Sequence, residues 1–204
     1  MPIFEIYNEI EVELTHKCNW NCPYCAIKVH TLPDISEYDA IAKIRSIQNK
    51  SIVTLSGGEP GLISRKTIEI CLNILKNKQC QIYLNTNGEF LKKYFDLIDN
   101  FIQIIYHCSE NINENDTILQ LNSNNIRYMI IVNDENITRL DKFIKKYSYI
   151  KFDIVEATYN NDGDGITLSK QNKYSILKKY SSNMTKESIM RMFKGKNFEA
   201  MKFI

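Results

Sequence analysis

The chain has 204 residues, of which 44% are hydrophobic and 25% charged, enough to build one domain with a real core. A formal net charge of +2, with lysines scattered rather than blocked, argues against a broad nucleic-acid or membrane-binding surface. No apolar run reaches the roughly 18 residues a membrane span needs, and Met1 to Asn8 lack the basic-then-apolar pattern of a secretory leader.

Taken in chain order, the pattern alternates strand and helix. Ile10–Leu14 alternates apolar and acidic residues and predicts the first strand, with an extra strand at Ile3–Tyr7 before it. Ser36 is placed to cap a helix over Glu37–Ile47, with Tyr38, Ile41, Ala42 and Ile44 toward the core. Ile52–Leu55 predicts the second strand. Ser64 caps the next helix, where Ile68, Cys71, Leu72 and Leu75 recur at helical spacing. Gln81–Leu84 follows as a strand and Phe90–Ile98 as a helix, then a strand at Phe101–Tyr106 and helical residues at Ile118–Leu121. Tyr128–Val132 is the fifth strand. Ile137, Leu140, Phe143, Ile144 and Tyr147 mark an amphipathic helix, and Ile150–Val155 is the sixth strand. Helices over Lys170–Tyr180 and Lys186–Phe193 close the chain, while Asn- and Asp-rich stretches at 111–116 and 159–164 read as loops. Six strand–helix units imply an α/β fold with a parallel sheet and outer helices. A closed eight-unit barrel takes about 250 residues, so an open, partial TIM-type barrel, (β/α)6, fits this length better. The expectation is a single domain over 1–204, with a core at about 10–156 and a helical region at about 170–204.

Of six cysteines, Cys18, Cys22 and Cys25 stand at C-x3-C-x2-C spacing directly after the first strand. A disulfide framework suits a smaller secreted chain; clustered thiols here point to metal chemistry in a reducing cytoplasm. Three thiolates can hold three corners of a four-iron cluster and leave one iron open for a small molecule. A zinc site with His16 or His30 as fourth ligand is the alternative reading of the same residues. After the second strand comes Ser56-Gly57-Gly58-Glu59-Pro60, where glycines allow close backbone approach to a ligand. Asn85-Thr86-Asn87-Gly88 follows the third strand and His107-Cys108-Ser109-Glu110 the fourth. Cys71, Cys80, Cys108 and His107 read as packing residues.

On these motifs and their spacing, the chain from about residue 10 to 156 resembles the radical S-adenosylmethionine (SAM) superfamily. The resemblance implies a [4Fe–4S] cluster on Cys18, Cys22 and Cys25, with SAM on the open iron. It implies that Tyr24 lies near the SAM adenine, and that Gly57, Gly58 and Glu59 receive the SAM ammonium. Thr86, Ser109, Asn133 and Val155 are further cofactor-binding candidates, with Asn87, Glu110 and Ile154 beside them. The loop after the sixth strand would cover the substrate. The implied reaction is reductive cleavage of SAM to a 5′-deoxyadenosyl radical, which abstracts hydrogen from a peptide or small molecule. No catalytic residue beyond the cluster is assigned. An external electron donor such as flavodoxin or ferredoxin is implied, with no membrane and no nucleic-acid partner. The Glu-Val-Glu-Leu-Thr-His-Lys-Cys lead-in looks like the peptide- and cofactor-maturase branch, although a second set of cluster cysteines after the sixth strand is missing. The competing readings are action on a nucleoside or modified base, and a non-catalytic metal-binding module.

Overall fold

The structure, a computed structural model, describes residues 8–22, 25, 29–108, 115–121, 123–134, 137–156 and 169–193. Six parallel strands form one sheet in sequential order: β1 (Glu9–Thr15), β2 (Ile52–Gly57), β3 (Gln81–Thr86), β4 (Gln103–His107), β5 (Ile126–Val132) and β6 (Phe152–Glu156). The α-helices are α1 (Glu37–Ser46), α2 (Arg65–Asn77), α3 (Glu89–Lys93), α4 (Asp116–Leu119), α5 (Ile137–Lys146), α6 (Lys170–Tyr180) and α7 (Lys186–Phe193). The α/β reading therefore holds, and strand positions match the sequence expectation to within one or two residues. The extra strand expected at Ile3–Tyr7 lies outside the described residues. Among the described residues, no helix is long and apolar enough to cross a membrane.

Two compact units divide the chain, one of 1–106 with 117–126 and the other of 107–116 with 127–204. In the first, β1 pairs with β2 from Glu9↔Ile52 to Thr15↔Gly57, with a register shift between Glu13 and Thr15. β2 and β3 pair from Ile52↔Gln81 to Leu55↔Leu84, and β3 and β4 from Tyr83↔Gln103 to Thr86↔Tyr106. Burial alternates along these strands. Val53, Leu55, Ile82, Leu84 and Ile104 are buried on one face, while Thr54, Tyr83, Asn85 and Gln103 are half-buried on the other. A parallel sheet covered equally on both faces reads as continuous hydrophobic runs, so this sheet has one packed face and one polar face.

Helix α2 shows how local signals build the packed layer. Ser64 adopts extended backbone and its side chain accepts from the Thr67 N–H, satisfying an otherwise orphaned donor. Ile68, Cys71, Leu72 and Leu75 are all buried, as helical spacing requires. Glu37, at the start of α1, accepts from Ser64 Oγ (2.8 Å) and Ser64 N (3.1 Å), tying the two helix starts together.

Two helical expectations need correction. In α1 the buried residues are Ala40 and Ile44, followed by Ile47; Tyr38 is 77% exposed and Ala42 is exposed. That i, i+4, i+7 stripe leaves the Tyr38 ring on the solvent side. The helix expected over Phe90–Ile98 stops at Lys93 and continues as a 3-10 segment, Phe95–Asn100. Tyr94 breaks the run at φ −128°, ψ 38°, with its hydroxyl donating to the Ile63 carbonyl at 2.7 Å.

In the second unit, β5 pairs with β6 from Tyr128↔Phe152 to Val132↔Glu156. Asp153 is fully buried, where it pairs with Arg127 and accepts from Thr185 Oγ1. The fully buried Ser188 bonds both the N–H and the carbonyl of Ile154, at 2.8 Å each, fastening α7 to β6.

Candidate cluster and cofactor site

Parallel strands end at one edge, so the turns leaving β1, β2 and β3 emerge side by side. The chain uses this edge for all three of its sequence motifs in the first unit.

The turn after β1 carries the cysteines. Its lead-in is fixed by Asp34, which accepts from Thr15 Oγ1 (2.7 Å) and the His16 N–H (3.0 Å) and pairs with Lys17 Nζ (3.0 Å). Burial opposes ionisation of this carboxyl, but the donors of Thr15, Lys17 and His16 outweigh it and hold it well below the ordinary carboxylate range. Cys18, Cys22 and Cys25 form no disulfide and are each half-buried, and the Cys25 N–H donates to the Cys22 carbonyl (3.1 Å). The Cys18 sulfur accepts from the Trp20 N–H at 3.4 Å and from Asn87 Nδ2 at 3.7 Å.

The turn after β2 is pressed against that lead-in. The Gly58 N–H donates to the Thr15 carbonyl (2.6 Å) and the Glu59 N–H to the Lys17 carbonyl (2.7 Å). Gly57 has φ +114°, and a Cβ on Gly58 would lie 2.6 Å from the carbonyl carbon of Lys17. The glycines thus serve two needs, a left-handed backbone and close contact between two turns. Gly58→Ala is expected to destabilise the fold by about 3 kcal/mol, since the atom it meets is backbone and cannot swing away. Chemical denaturation measures this, and a midpoint equal to wild type would show that the turns are not in contact.

Glu59 then turns inward and is 0% exposed. Its Oε1 accepts from the N–H groups of Gly61 (2.8 Å) and Phe90 (3.0 Å), and its Oε2 from the Asn87 N–H (2.7 Å). Thr86 Oγ1 lies 2.9 and 3.0 Å from the two carboxylate oxygens. Burial pushes this carboxyl up, against the pull of the Asn87, Gly61, Thr86 and Phe90 donors. In this structure the carboxylate braces the turns after β2 and β3. Thr86 is likewise buried, and its hydroxyl oxygen also accepts from the Gly88 N–H at 2.9 Å.

The structure therefore brings Cys18, Cys22, Cys25, Gly57, Gly58, Glu59 and Thr86 to one edge of the first unit. Asn133 and Val155 belong to the second unit; Asn133 is buried just past β5, and Val155 is half-buried in β6. Tyr24, Ser109 and Glu110 lie outside the described residues, as does the expected covering loop past Glu156. Cys71 and Cys108 are buried, as packing residues should be. Sequence reading missed Asp34 and the Asn87–Cys18 contact. Both pair residues far apart in the chain, and no local spacing announces them.

The residues suit an iron–sulfur cluster with a small polar ligand. Three half-buried thiols share one loop, with N–H donors already aimed at one sulfur. Both ring nitrogens of His16 are engaged, with the Pro33 carbonyl (2.5 Å) and Glu13 (3.0 Å), and His30 Nε2 meets the Trp20 carbonyl (2.6 Å). That leaves His16 unsuited as a fourth zinc ligand. Among the described residues, no three His, Cys, Asp or Glu side chains are grouped to hold a single metal ion. On the polar sheet face, Asn85 Oδ1 is buried without a hydrogen-bond partner, an acceptor left for a ligand's donor.

Comparison with known proteins agrees with this edge. Residues 12–110 match the model of the Radical SAM superfamily, a span that includes all three cysteines and both turns. The chain is 32% identical over 72 residues to 7-carboxy-7-deazaguanine synthase of Haemophilus influenzae, covering 35% of this chain and 33% of that protein. It also resembles the solved structure of native anSMEcpe with bound AdoMet and Cp18Cys peptide, with a TM-score of 0.64 and 13% identity. That likeness covers 85% of this chain and 58% of the other.

Proposed function

We propose that this chain, a member of the radical SAM superfamily, is an enzyme that abstracts hydrogen from a peptide or small-molecule substrate. Membership implies a [4Fe–4S] cluster and SAM. When bound, the cluster and SAM together supply a 5′-deoxyadenosyl radical at the cost of one electron, which an external donor such as flavodoxin or ferredoxin would deliver. Cys18, Cys22 and Cys25 would hold the cluster, and Gly57 and Gly58 would offer backbone groups to the ammonium of SAM. The protein's part is to place SAM against the open iron and to exclude water.

One observation carries this reading. The Gly58 and Glu59 N–H groups are bonded to the carbonyls of Thr15 and Lys17. A ligand on the glycine turn therefore sits beside the cysteine loop by construction, as a molecule bridging cluster and turn requires.

The bound peptide of anSMEcpe, a fold neighbour, supports a peptide substrate. The sequence match to 7-carboxy-7-deazaguanine synthase favours the second reading, a nucleoside or modified base. A non-catalytic metal module is the reading from another class. Anaerobic reconstitution, reduction with dithionite, addition of SAM and chromatography for 5′-deoxyadenosine separate the enzyme from the module. Product that depends on Cys18, Cys22 and Cys25 is expected, along with a SAM-induced change in the reduced cluster's EPR spectrum. A protein that takes up zinc, refuses iron and ignores SAM would overturn the proposal.

A further inference from the structure

Asn87 is the one side chain of the β3 turn that reaches the cysteine loop with both of its amide hydrogens. Its Nδ2 donates to Asn19 Oδ1 at 2.8 Å and to the Cys18 sulfur at 3.7 Å. The amide orientation is fixed by its surroundings. Oδ1 accepts from the Glu89 N–H at 3.3 Å, and a flipped amide would lose that bond and set two oxygens against each other at Asn19. The residue's own N–H is held by Glu59 Oε2 at 2.7 Å. Asn87 therefore stands between the buried Glu59 carboxylate and Cys18.

These two neighbours act on the sulfur in opposite directions. The negative charge of the Glu59 carboxylate behind Asn87 disfavours added electron density on the Cys18 sulfur, while the Trp20 and Asn87 N–H donors favour it. A donor aimed at a ligating sulfur stabilises the more electron-rich state of a cluster, and hydrogen bonds to sulfur are among the levers that set its potential.

We infer that Asn87, through its N–H···S bond to Cys18, is a positioning residue that raises the reduction potential of the cluster. The inference rests on the function proposed above. It assigns to the turn after β3 a role in electron acceptance, separate from any contact it makes with SAM. Without this donor, Cys18 would keep the Trp20 bond but face the Glu59 charge with less compensation.

The test is an anaerobic redox titration of the reconstituted protein, followed by EPR, with circular dichroism as the check on folding. Asn87→Leu is expected to lower the reduced-to-oxidised ratio about tenfold at a fixed ambient potential, a midpoint about 59 mV more negative for a one-electron couple. Asn87→Asp keeps the size and the oxygen that accepts from Glu89 but removes both donors. It should shift the same way and at least as far, because its added negative charge also disfavours the reduced state. Asn19→Ala removes the amide's other partner and spares the bond to sulfur, so its midpoint should match wild type. A loaded Asn87→Asp or Asn87→Leu protein at the wild-type midpoint would overturn the inference, as would an Asn19→Ala shift as large as theirs. A wild-type chain that binds no cluster overturns both readings, whereas a loaded wild type with unshifted Asn87 variants overturns this one alone.

Discussion

Glu59→Ala is expected to lower stability by about 3 kcal/mol, because it strips the partner from three backbone N–H groups and one hydroxyl at a fully buried position. For a chain of this size that is a fall of roughly 10 °C in Tm. Removing the carboxylate also removes its desolvation cost, which keeps the loss from being larger. The loss should be local in origin. Hydrogen exchange at the Gly61, Asn87 and Phe90 amides should speed up more than exchange in the middle of β2, since those three N–H groups lose their acceptor while the strand ladder does not. Glu59→Gln should fall close to the alanine variant. Its NH2 group must face either the Asn87 N–H or the pair from Gly61 and Phe90, which sets donor against donor. A Glu59→Ala protein with wild-type Tm and unchanged exchange at these amides would show that the carboxylate does not brace the turns.

Glu59 also shows where sequence reading reaches its limit. The family resemblance places Glu59 beside the SAM ammonium, and nothing in the local sequence shows what else its carboxylate would touch. Beyond the local Gly61 N–H, its partners are Thr86, Asn87 and Phe90, which come from the end of β3, the turn after it and α3. Chain order hides such contacts, since they exist only once β2 and β3 lie side by side. The strands themselves were legible, because β2 and β3 alternate buried and half-buried residues with period two. The caps of α1 and α2 were legible as well, each a serine whose side chain accepts from the N–H three residues on. The buried face of α1 was not. Apolar content suggested Tyr38, Ile41 and Ala42, but the small Ala40 takes the core position and the amphipathic Tyr38 stays in water. In the same way C-x3-C-x2-C spacing picked out the three cysteines of the loop after β1, while Asp34, which holds their lead-in, lies beyond the reach of any local motif.

The cysteines themselves should respond quite differently from Glu59. Cys22 is half-buried, and its described loop neighbours lie past the end of β1 rather than in the packed layer of Val53, Leu55, Leu72 and Leu84. Cys22→Ala is therefore expected to leave Tm within about 1 °C of the wild-type apoprotein, since substitutions away from packed or buried polar sites usually change stability by less than about 0.5 kcal/mol. Iron and sulfide after anaerobic reconstitution should fall to the background of a variant lacking all three cysteines, because two thiolates cannot hold a cubane that three already hold incompletely. Cys22 makes the cleaner test than Cys18. Replacing Cys18 also cuts the bonds from Trp20 and Asn87, so a loss there mixes ligand removal with a loosened loop. Full iron content in Cys22→Ala would defeat the assignment of the cluster to this loop. Iron lost together with a large fall in Tm would place the loop within the stability core, against its position at the edge of the first unit. The opposite signatures of Glu59→Ala and Cys22→Ala, one in stability and the other in iron, separate the residues that build this edge from those that load it.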